Sequence, residues 1–174
     1  MKYTVYCTGI REGGQTEWEF AYNQYKTSPV ASERSKLLSA LACTKVPWIL
    51  ERFLEYAITS SEVRKQDGTK VIENVGSNIV GQPIAWNFLR QKWNYIYLDY
   101  SDKQWRLSGA LSSVASSFNT EFDLKQLRDF GENVDLGGVQ RMYKKLIEET
   151  QSNIQWMKNN LDIVQNWLDS NVKK

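Results

Sequence analysis

The chain has 174 residues, of which 41% are apolar and 24% charged, and its net charge is +2. This composition is typical of a globular domain and excludes an intrinsically disordered segment. Basic residues alternate with acidic ones, so nothing favours a nucleic-acid partner. No apolar run approaches the roughly 18 residues that a membrane-spanning helix needs. We therefore expect no membrane contact by this domain itself.

Histidine is absent from the sequence. This excludes a Ser-His-Asp triad, a Cys-His pair and a His-ligated zinc site within the chain. Two cysteines cannot form a structural zinc site alone. The closest acidic pairs have polar neighbours and are interpreted as solvated helix surface: Glu17/Glu19, Glu51/Glu55 and Glu148/Glu149. We predict no catalytic residue, metal site or cofactor site in this chain.

Apolar residues recur three and four positions apart along most of the chain, which predicts helices and almost no strand. Capping patterns mark helix starts at Thr16, Ser32, Asp67 and Thr120, and Pro47 suits a first turn. Gly131 to Gly138 is predicted to be a loop. The predicted helices cover about residues 2–11, 16–26, 32–43, 47–58, 67–76, 82–100, 105–118, 120–130, 139–159 and 163–168.

The helix that follows Asn78 and Gly81 is unusually rich in aromatic residues. Trp86, Leu89 and Trp93 lie three and four positions apart, so they share one face, which Ala85 and Phe88 widen. We interpret Trp86 and Trp93 as core residues, and Trp156 and Trp167 likewise.

Short connections between helices favour antiparallel neighbours, and such pairs must stack to bury their apolar faces. The sequence thus predicts an all-α fold. The favoured architecture is an irregular α-solenoid of HEAT- or armadillo-like helix pairs, with about ten or eleven helices in one domain over residues 1–174. A compact helical bundle is the alternative.

Cys7 and Cys43 lie on two predicted helices that are separated by one other helix. In an exported protein such a pair would form a disulfide, whereas in a cytosolic protein it would remain two thiols. The spacing alone leaves both options open.

Three blocks of the sequence form a specific combination. They are Asn78-x-x-Gly81-x-x-x-Ala85-Trp86-x-Phe88-Leu89-x-x-x-Trp93, Phe118-Asn119-Thr120 with Leu124, Leu127 and Phe130, and Asn153-Ile154-x-Trp156-Met157-x-x-Asn160 with Trp167-Leu168. In the same order, these blocks resemble the C-terminal domain of the M1 family of zinc aminopeptidases, and the similarity runs from about Tyr3 to Leu168. Segments 5–7, 40–43 and 47–50 look most like the aminopeptidase N branch.

The resemblance implies a C-terminal fragment of a larger multidomain enzyme that cleaves N-terminal residues from peptides. Its zinc-binding His-Glu-x-x-His and exopeptidase Gly-x-Met-Glu-Asn motifs would lie in an earlier domain. In the family, the C-terminal domain encloses a substrate chamber, limits access to it and contacts peptide. The implied partners are the catalytic domain of the same chain, peptide substrates and a second copy in a homodimer.

The resemblance also implies a location and a disulfide. The parent would be membrane-anchored on the extracellular side of the plasma membrane, and a secreted or ER-lumenal protein is the alternative. The aminopeptidase N branch bridges its two matching cysteines, which implies a Cys7–Cys43 disulfide.

Two residues are candidates for peptide contact. Trp105 falls where the branch has a chamber-facing aromatic residue, and its alternative interpretation is a core residue at a helix start. Arg90 is the second candidate, with a solvated surface position as the alternative. Thr44 stands where some ER members have an arginine that binds peptide C-termini, and it cannot supply that charge.

The sequence is also compatible with two other functions. One is an interaction module with a homodimer or receptor surface and little peptide role. The other is an unrelated intracellular adaptor solenoid, which predicts two free thiols.

Overall fold

The computed structural model describes residues 2–59 and 61–172 of the chain. Within these ranges it contains nine α-helices, two short 3₁₀ helices and no strand, which confirms the all-α class. The 3₁₀ helices are Ser101–Lys103 and Gly137–Val139. The α-helices are α1 (Lys2–Glu12), α2 (Gln15–Thr27), α3 (Ala31–Leu41), α4 (Pro47–Ala57), α5 (Lys65–Gly76), α6 (Gly81–Tyr100), α7 (Gln104–Ala115), α8 (Glu121–Asn133) and α9 (Gln140–Asn171).

The chain divides into two compact units, Met1–Val114 (unit 1) and Ala115–Lys174 (unit 2). In unit 1, α1 and α2 both pack on α3, while α4, α5 and α6 pack on one another. Each helix thus contacts its neighbour or the next helix but one, an arrangement compatible with stacked helix pairs. Its largest fully buried side chains include Trp18, Trp93, Phe53, Leu41, Ile49, Leu50, Leu54, Ile72, Leu89 and Ile96.

Tryptophan 18 shows how side chains tie these helices together. It lies in α2, is fully buried, and donates its indole N–H to the carbonyl oxygen of Leu41 at 3.0 Å. A buried indole needs such an acceptor because its N–H has left water. The bond joins α2 to the end of α3.

Helix starts follow the predicted chemistry only in part. Thr120 caps α8 as predicted, since its hydroxyl accepts from the Asp123 N–H at 3.1 Å. The cap predicted at Thr16 is wrong, because α2 begins one residue earlier and the Glu17 carboxylate accepts from the Gly14 N–H at 2.7 Å. A glutamate at the third helical position reaches back to the capping residue whatever side chain that residue carries.

Two other predicted N-terminal caps, at Ser32 and Asp67, are also wrong. Ser32 and Asp67 lie inside their helices, because α3 begins at Ala31 and α5 at Lys65. Pro47 begins α4, as predicted.

Unit 2 consists of α8, the second 3₁₀ helix and α9. Residues 139–168, predicted as two helices, belong almost entirely to the single helix α9 of 32 residues. The predicted loop at Gly131 to Gly138 is shorter, since α8 runs to Asn133. The core lies between α8 and α9 and contains Leu124, Leu127, Phe130, Leu146 and Ile154.

Trp156 and Trp167 are exposed by 54% and 62%, so their prediction as core residues is wrong. The last buried residue of α9 is Ile154. Trp156 lies two positions further, about 200° around the helix axis, and so points away from the packed face. Helical spacing among aromatic residues therefore does not establish burial here.

Candidate functional site

Trp105 lies at the start of α7, directly after the 3₁₀ turn that follows α6. It is 71% exposed, which excludes the core interpretation. The Arg106 guanidinium carbon lies 4.8 Å from the centroid of its ring. The indole ring of Trp105 and the guanidinium group of Arg106 together form a surface that is partly apolar and partly cationic.

A cavity of about 300 Å³ lies among the start of α5, the end of α6 and the 3₁₀ turn. Arg106 donates a hydrogen bond from Nη1 to the backbone oxygen of Gln66, which links α7 to the cavity wall. Tyr100 closes the other side by donating its hydroxyl to the backbone oxygen of Lys65. We call this region the Trp105 corner: Arg64, Lys65, Gln66, Tyr100, Lys103, Trp105 and Arg106.

The cations of the corner are held in place by acidic partners. Lys65 Nζ lies 2.5 Å from Asp99 Oδ1, and the hydrogen bond to that carboxylate raises the pKa of Lys65. Arg64 Nη2 lies 2.6 Å from Asp67 Oδ2, and the hydrogen bond with Asp67 raises the pKa of Arg64.

Burial, followed by the charge of Asp99, raises the pKa of Tyr100 to about 12. The tyrosine therefore stays neutral at pH 7, and Arg64 and Lys65 stay charged. The four cations Arg64, Lys65, Lys103 and Arg106 exceed the three nearby acids Asp67, Asp99 and Asp102 by one charge. The corner is thus suited to binding rather than to proton transfer.

Arg90 occupies a different place. It lies on the exposed side of α6, with its guanidinium carbon 5.3 Å from the centroid of the Trp86 ring. Its Nη2 donates to Asn87 Oδ1 at 2.9 Å. Since these contacts are not shared with Trp105, the described structure does not combine the two candidates in one site.

The motif residues of the first resembling block form a structural joint. Asn78 Nδ2 donates to the backbone oxygens of Ala42 and Thr44 at 2.6 and 2.9 Å. Asn78 Oδ1 accepts from the N–H groups of Val80 and Gly81 at 2.8 and 3.2 Å. One side chain therefore joins the end of α3 to the start of α6. Its motif neighbours Gly81, Ala85, Trp86, Phe88 and Trp93 are buried.

Asn153 has a similar role in unit 2. Its Nδ2 donates to the backbone oxygen of Phe118 at 2.9 Å and to that of Ser116 at 3.4 Å. This ties α9 to the segment before α8. Neither joint was predicted from the sequence. The spacing of apolar residues indicates which face of a helix is buried, but it does not indicate hydrogen bonds between distant segments.

Cys7 and Cys43 are joined by a disulfide. Thr44, beside it, is buried, and its hydroxyl accepts a hydrogen bond from the Val46 N–H at 3.2 Å. Thr44 therefore stabilises the turn before α4 and presents no group at the surface.

The described residues contain no candidate metal-binding cluster and no candidate membrane-spanning helix. Among them, no group of three or more histidine, cysteine, aspartate or glutamate side chains is placed so that it could hold a metal ion. None of the described helices combines the length and the apolar character that crossing a bilayer requires.

Comparison with known proteins covers nearly the whole chain. The sequence model of the family described as ERAP1-like C-terminal domain matches residues 1–152. Aminopeptidase N of Bos taurus is 41% identical over 171 residues, 97% of this chain. Aminopeptidase Ey of Gallus gallus is 38% identical over 97% of the chain, and aminopeptidase N of Homo sapiens is 36% identical over 99%. The chain spans 18% of the length of each of these relatives. It belongs to the family of ERAP1-like C-terminal domains of M1 aminopeptidases, in the aminopeptidase N branch.

Proposed function

We propose that the chain is the non-catalytic C-terminal domain of a zinc-dependent aminopeptidase, where it forms part of the substrate-chamber wall and contacts or gates peptide. The parent would remove N-terminal residues from peptides. The observation that carries the peptide role is the exposed ring of Trp105 next to Arg106, whose guanidinium bonds to the wall of a cation-rich cavity. Family membership and the similarity of 97% of the chain to aminopeptidase N support the rest.

The corner offers two kinds of contact to a peptide. The ring of Trp105 and the planar guanidinium of Arg106 would cover an apolar or aromatic side chain. Lys65 and Lys103, exposed by 59% and 51%, would attract a carboxylate further along the peptide. Both contacts act on residues distant from the scissile bond, so they would affect binding more than chemistry.

The residues of this chain do not fit a zinc site, since histidine is absent and the described part has no acidic or thiol cluster. Zinc would belong to the catalytic domain of the parent enzyme. The disulfide supports an oxidising location, in keeping with a membrane-anchored parent that faces the outside of the cell.

The test is Trp105→Ala in the enzyme that carries this domain. We expect KM for peptides of about ten residues to rise up to roughly tenfold, because an aromatic contact contributes up to about 1.5 kcal/mol. The kcat for these peptides, and all constants for an aminoacyl chromogenic substrate, should stay unchanged.

Phe122→Ala is the matched control, since Phe122 is also an exposed aromatic residue but lies in α8. Equal effects of the two substitutions, or an effect of Trp105→Ala on the chromogenic substrate, would contradict the peptide role of the corner. The 174-residue chain alone should hydrolyse no aminoacyl substrate with or without added zinc, and turnover by it would contradict the non-catalytic assignment.

A second candidate function is an interaction module that contacts a second copy of the chain. The second half of α9 supports it. Leu161, Val164 and Leu168 lie at helical spacing beside Trp167, and all four are exposed. Such a stripe normally needs a partner surface.

Sedimentation equilibrium would distinguish this alternative. A dimer that Trp167→Asp abolishes and Trp105→Asp leaves intact would favour it. A monomer at high concentration would count against a dimer contact within this domain.

A further inference from the structure

Helix α1 is attached to unit 1 by few apolar contacts. Among its residues only Ile10 is buried. A cavity of about 600 Å³ lies on its α2 side, with Val5, Gly9 and Phe20 in the wall. A second cavity, of about 470 Å³, lies on its other side, towards α5, with Tyr3, Cys7 and Arg11 in the wall. Apolar burial therefore contributes less to holding α1 than it does for α4, where five side chains are buried.

The polar contacts of α1 include two exposed ion pairs and one partly buried hydrogen bond. Lys2 Nζ is 3.4 Å from Glu33 Oε2, and Lys45 Nζ is 3.0 Å from Glu12 Oε1. Tyr6 donates its hydroxyl to the Glu33 carboxylate. Ion pairs that remain accessible to water contribute little to stability. The disulfide between Cys7 of α1 and Cys43, just after α3, is thus the strongest single attachment of the helix.

The two sulfur atoms have unequal surroundings. Arg11 Nη2 lies 3.6 Å from Cys7 Sγ, so a thiolate on Cys7 would be stabilised by a positive charge. Cys43 follows the carboxyl end of α3, where the helix dipole is negative and disfavours a thiolate. Its sulfur contacts the hydroxyl of Tyr3 at 3.8 Å, which carries no positive charge. Both cysteines are partly exposed and line the second cavity, so a thiol can approach them.

We propose that the Cys7–Cys43 disulfide is a redox-sensitive clamp whose reduction by a small thiol of the glutathione class releases α1. The external thiolate attacks Cys43 Sγ, the S–S bond breaks, and Cys7 leaves as a thiolate beside Arg11. A second external thiolate then attacks the sulfur of the bound thiol. This yields the oxidised form of the external thiol and a second protein thiolate, a transfer of two electrons in total. Release of α1 would join the two cavities along α3.

Hydrogen exchange of the 174-residue chain, in reduced and in oxidised glutathione, tests the release. We expect the backbone amides of α1 to lose protection at least about tenfold on reduction, because the helix opens locally. The amides of α4 should keep theirs. Unchanged protection of α1, or a parallel loss in α4, would overturn the proposal. In Cys7→Ser/Cys43→Ser, exchange should no longer depend on glutathione.

Mass spectrometry of the alkylated intermediate tests the direction of attack. The glutathione adduct is expected on Cys43, with Cys7 alkylated. Arg11→Gln should slow reduction about three- to tenfold, since the leaving thiolate loses its partner charge. Arg141→Gln, at an exposed position in α9, should leave the rate unchanged. An adduct mainly on Cys7, or equal rates in both variants, would refute the mechanism.

Discussion

The amides of Asn78 and Asn153 perform the same task at two points in the chain. Each reaches back more than thirty residues to a pair of backbone carbonyl groups that end or precede a helix. Asn78 also accepts two N–H groups, so both of its polar atoms are used. Only an amide supplies donors and acceptors at the ends of so short a side chain.

Asn78→Asp should therefore destabilise unit 1 by about 2 to 4 kcal/mol. The substitution replaces the donating Nδ2 by an oxygen, which faces two carbonyl groups that are left without a partner. Urea denaturation at pH 7 measures the change. Asn94→Asp, at an exposed position in α6, is the control and should change stability by less than about 0.5 kcal/mol. Equal effects of the two substitutions would show that the joint is not stabilising.

The sequence predicted a helix that follows Asn78 and Gly81, but not the hydrogen bond from Asn78 to Ala42. A turn leaves a local signal in glycine and asparagine, whereas a bond across 36 positions depends on how helices pack. Trp105 illustrates the same limit. The sequence predicted its position at a helix start. Its exposure depends on the packing of the surrounding helices and is known only from the structure.

At the scale of the helix, a glycine sets how closely α4 and α5 approach. A Cβ at Gly68 would meet the backbone oxygen of Ala57 and the hydroxyl of Tyr100. The Ala57 carbonyl belongs to the last residue of α4 and cannot rotate away as a side chain could. At Gly9, in the middle of α1, such a Cβ would have no described atom within 4 Å apart from its chain neighbours and the backbone of its own helix.

These two glycines make a matched pair of substitutions. Gly68→Ala should lower the free energy of unfolding by about 1 to 3 kcal/mol, because the helices must separate. Gly9→Ala should raise it by about 0.5 to 1 kcal/mol, because alanine is the better helix former and the site has room. Thermal unfolding of both variants measures the difference. A stabilising Gly68→Ala would mean that the crossing can relax without cost.

Helix existence was predictable at this scale, since the spacing of three and four residues reflects the helix itself. Helix ends were less predictable. At the start of α2, the capping contact comes from the Glu17 side chain, which lies inside the helix and accepts a hydrogen bond from the Gly14 N–H. The exposure of Trp156 was not predicted. Its spacing from Trp167 fits one side of a helix, but the packed face of α9 ends at Ile154.

For the molecule as a whole, three carboxylates have lowered pKa values. A hydrogen bond from the Gly14 N–H lowers the pKa of Glu17. Hydrogen bonds from the hydroxyls of Tyr6 and Tyr22 lower the pKa values of Glu33 and Glu62. Each group binds a proton more weakly in the folded state than in the unfolded chain. Each therefore stabilises the fold above the unfolded pKa of about 4.3 and loses that effect as the pH falls through the lowered folded value.

We expect the urea midpoint to stay nearly level from about pH 8 to pH 5 and to fall steeply below about pH 4.3. No histidine titrates in the upper range. In Glu17→Gln/Glu33→Gln/Glu62→Gln the midpoint should be lower at pH 7 and its decline towards low pH shallower. An unchanged slope in this variant would show that other carboxylates govern acid unfolding.

The sequence predicted the helical class at this scale, and the single domain over residues 1–174 stays a prediction. The division between the two compact units at Val114 falls inside the C-terminal turn of α7, where no glycine or proline interrupts the pattern. A boundary of this kind depends on which residues contact one another across the chain. Local composition therefore gives no sign of it.

The distribution of tryptophans has a spectroscopic consequence. Trp18, Trp86 and Trp93 are buried in unit 1, whereas both tryptophans of unit 2, Trp156 and Trp167, are in contact with water. Indole emission shifts to the red when a buried ring becomes hydrated, so the shift on denaturation will come from unit 1. Fluorescence will thus follow the melting of unit 1 alone, and circular dichroism will record that of both units.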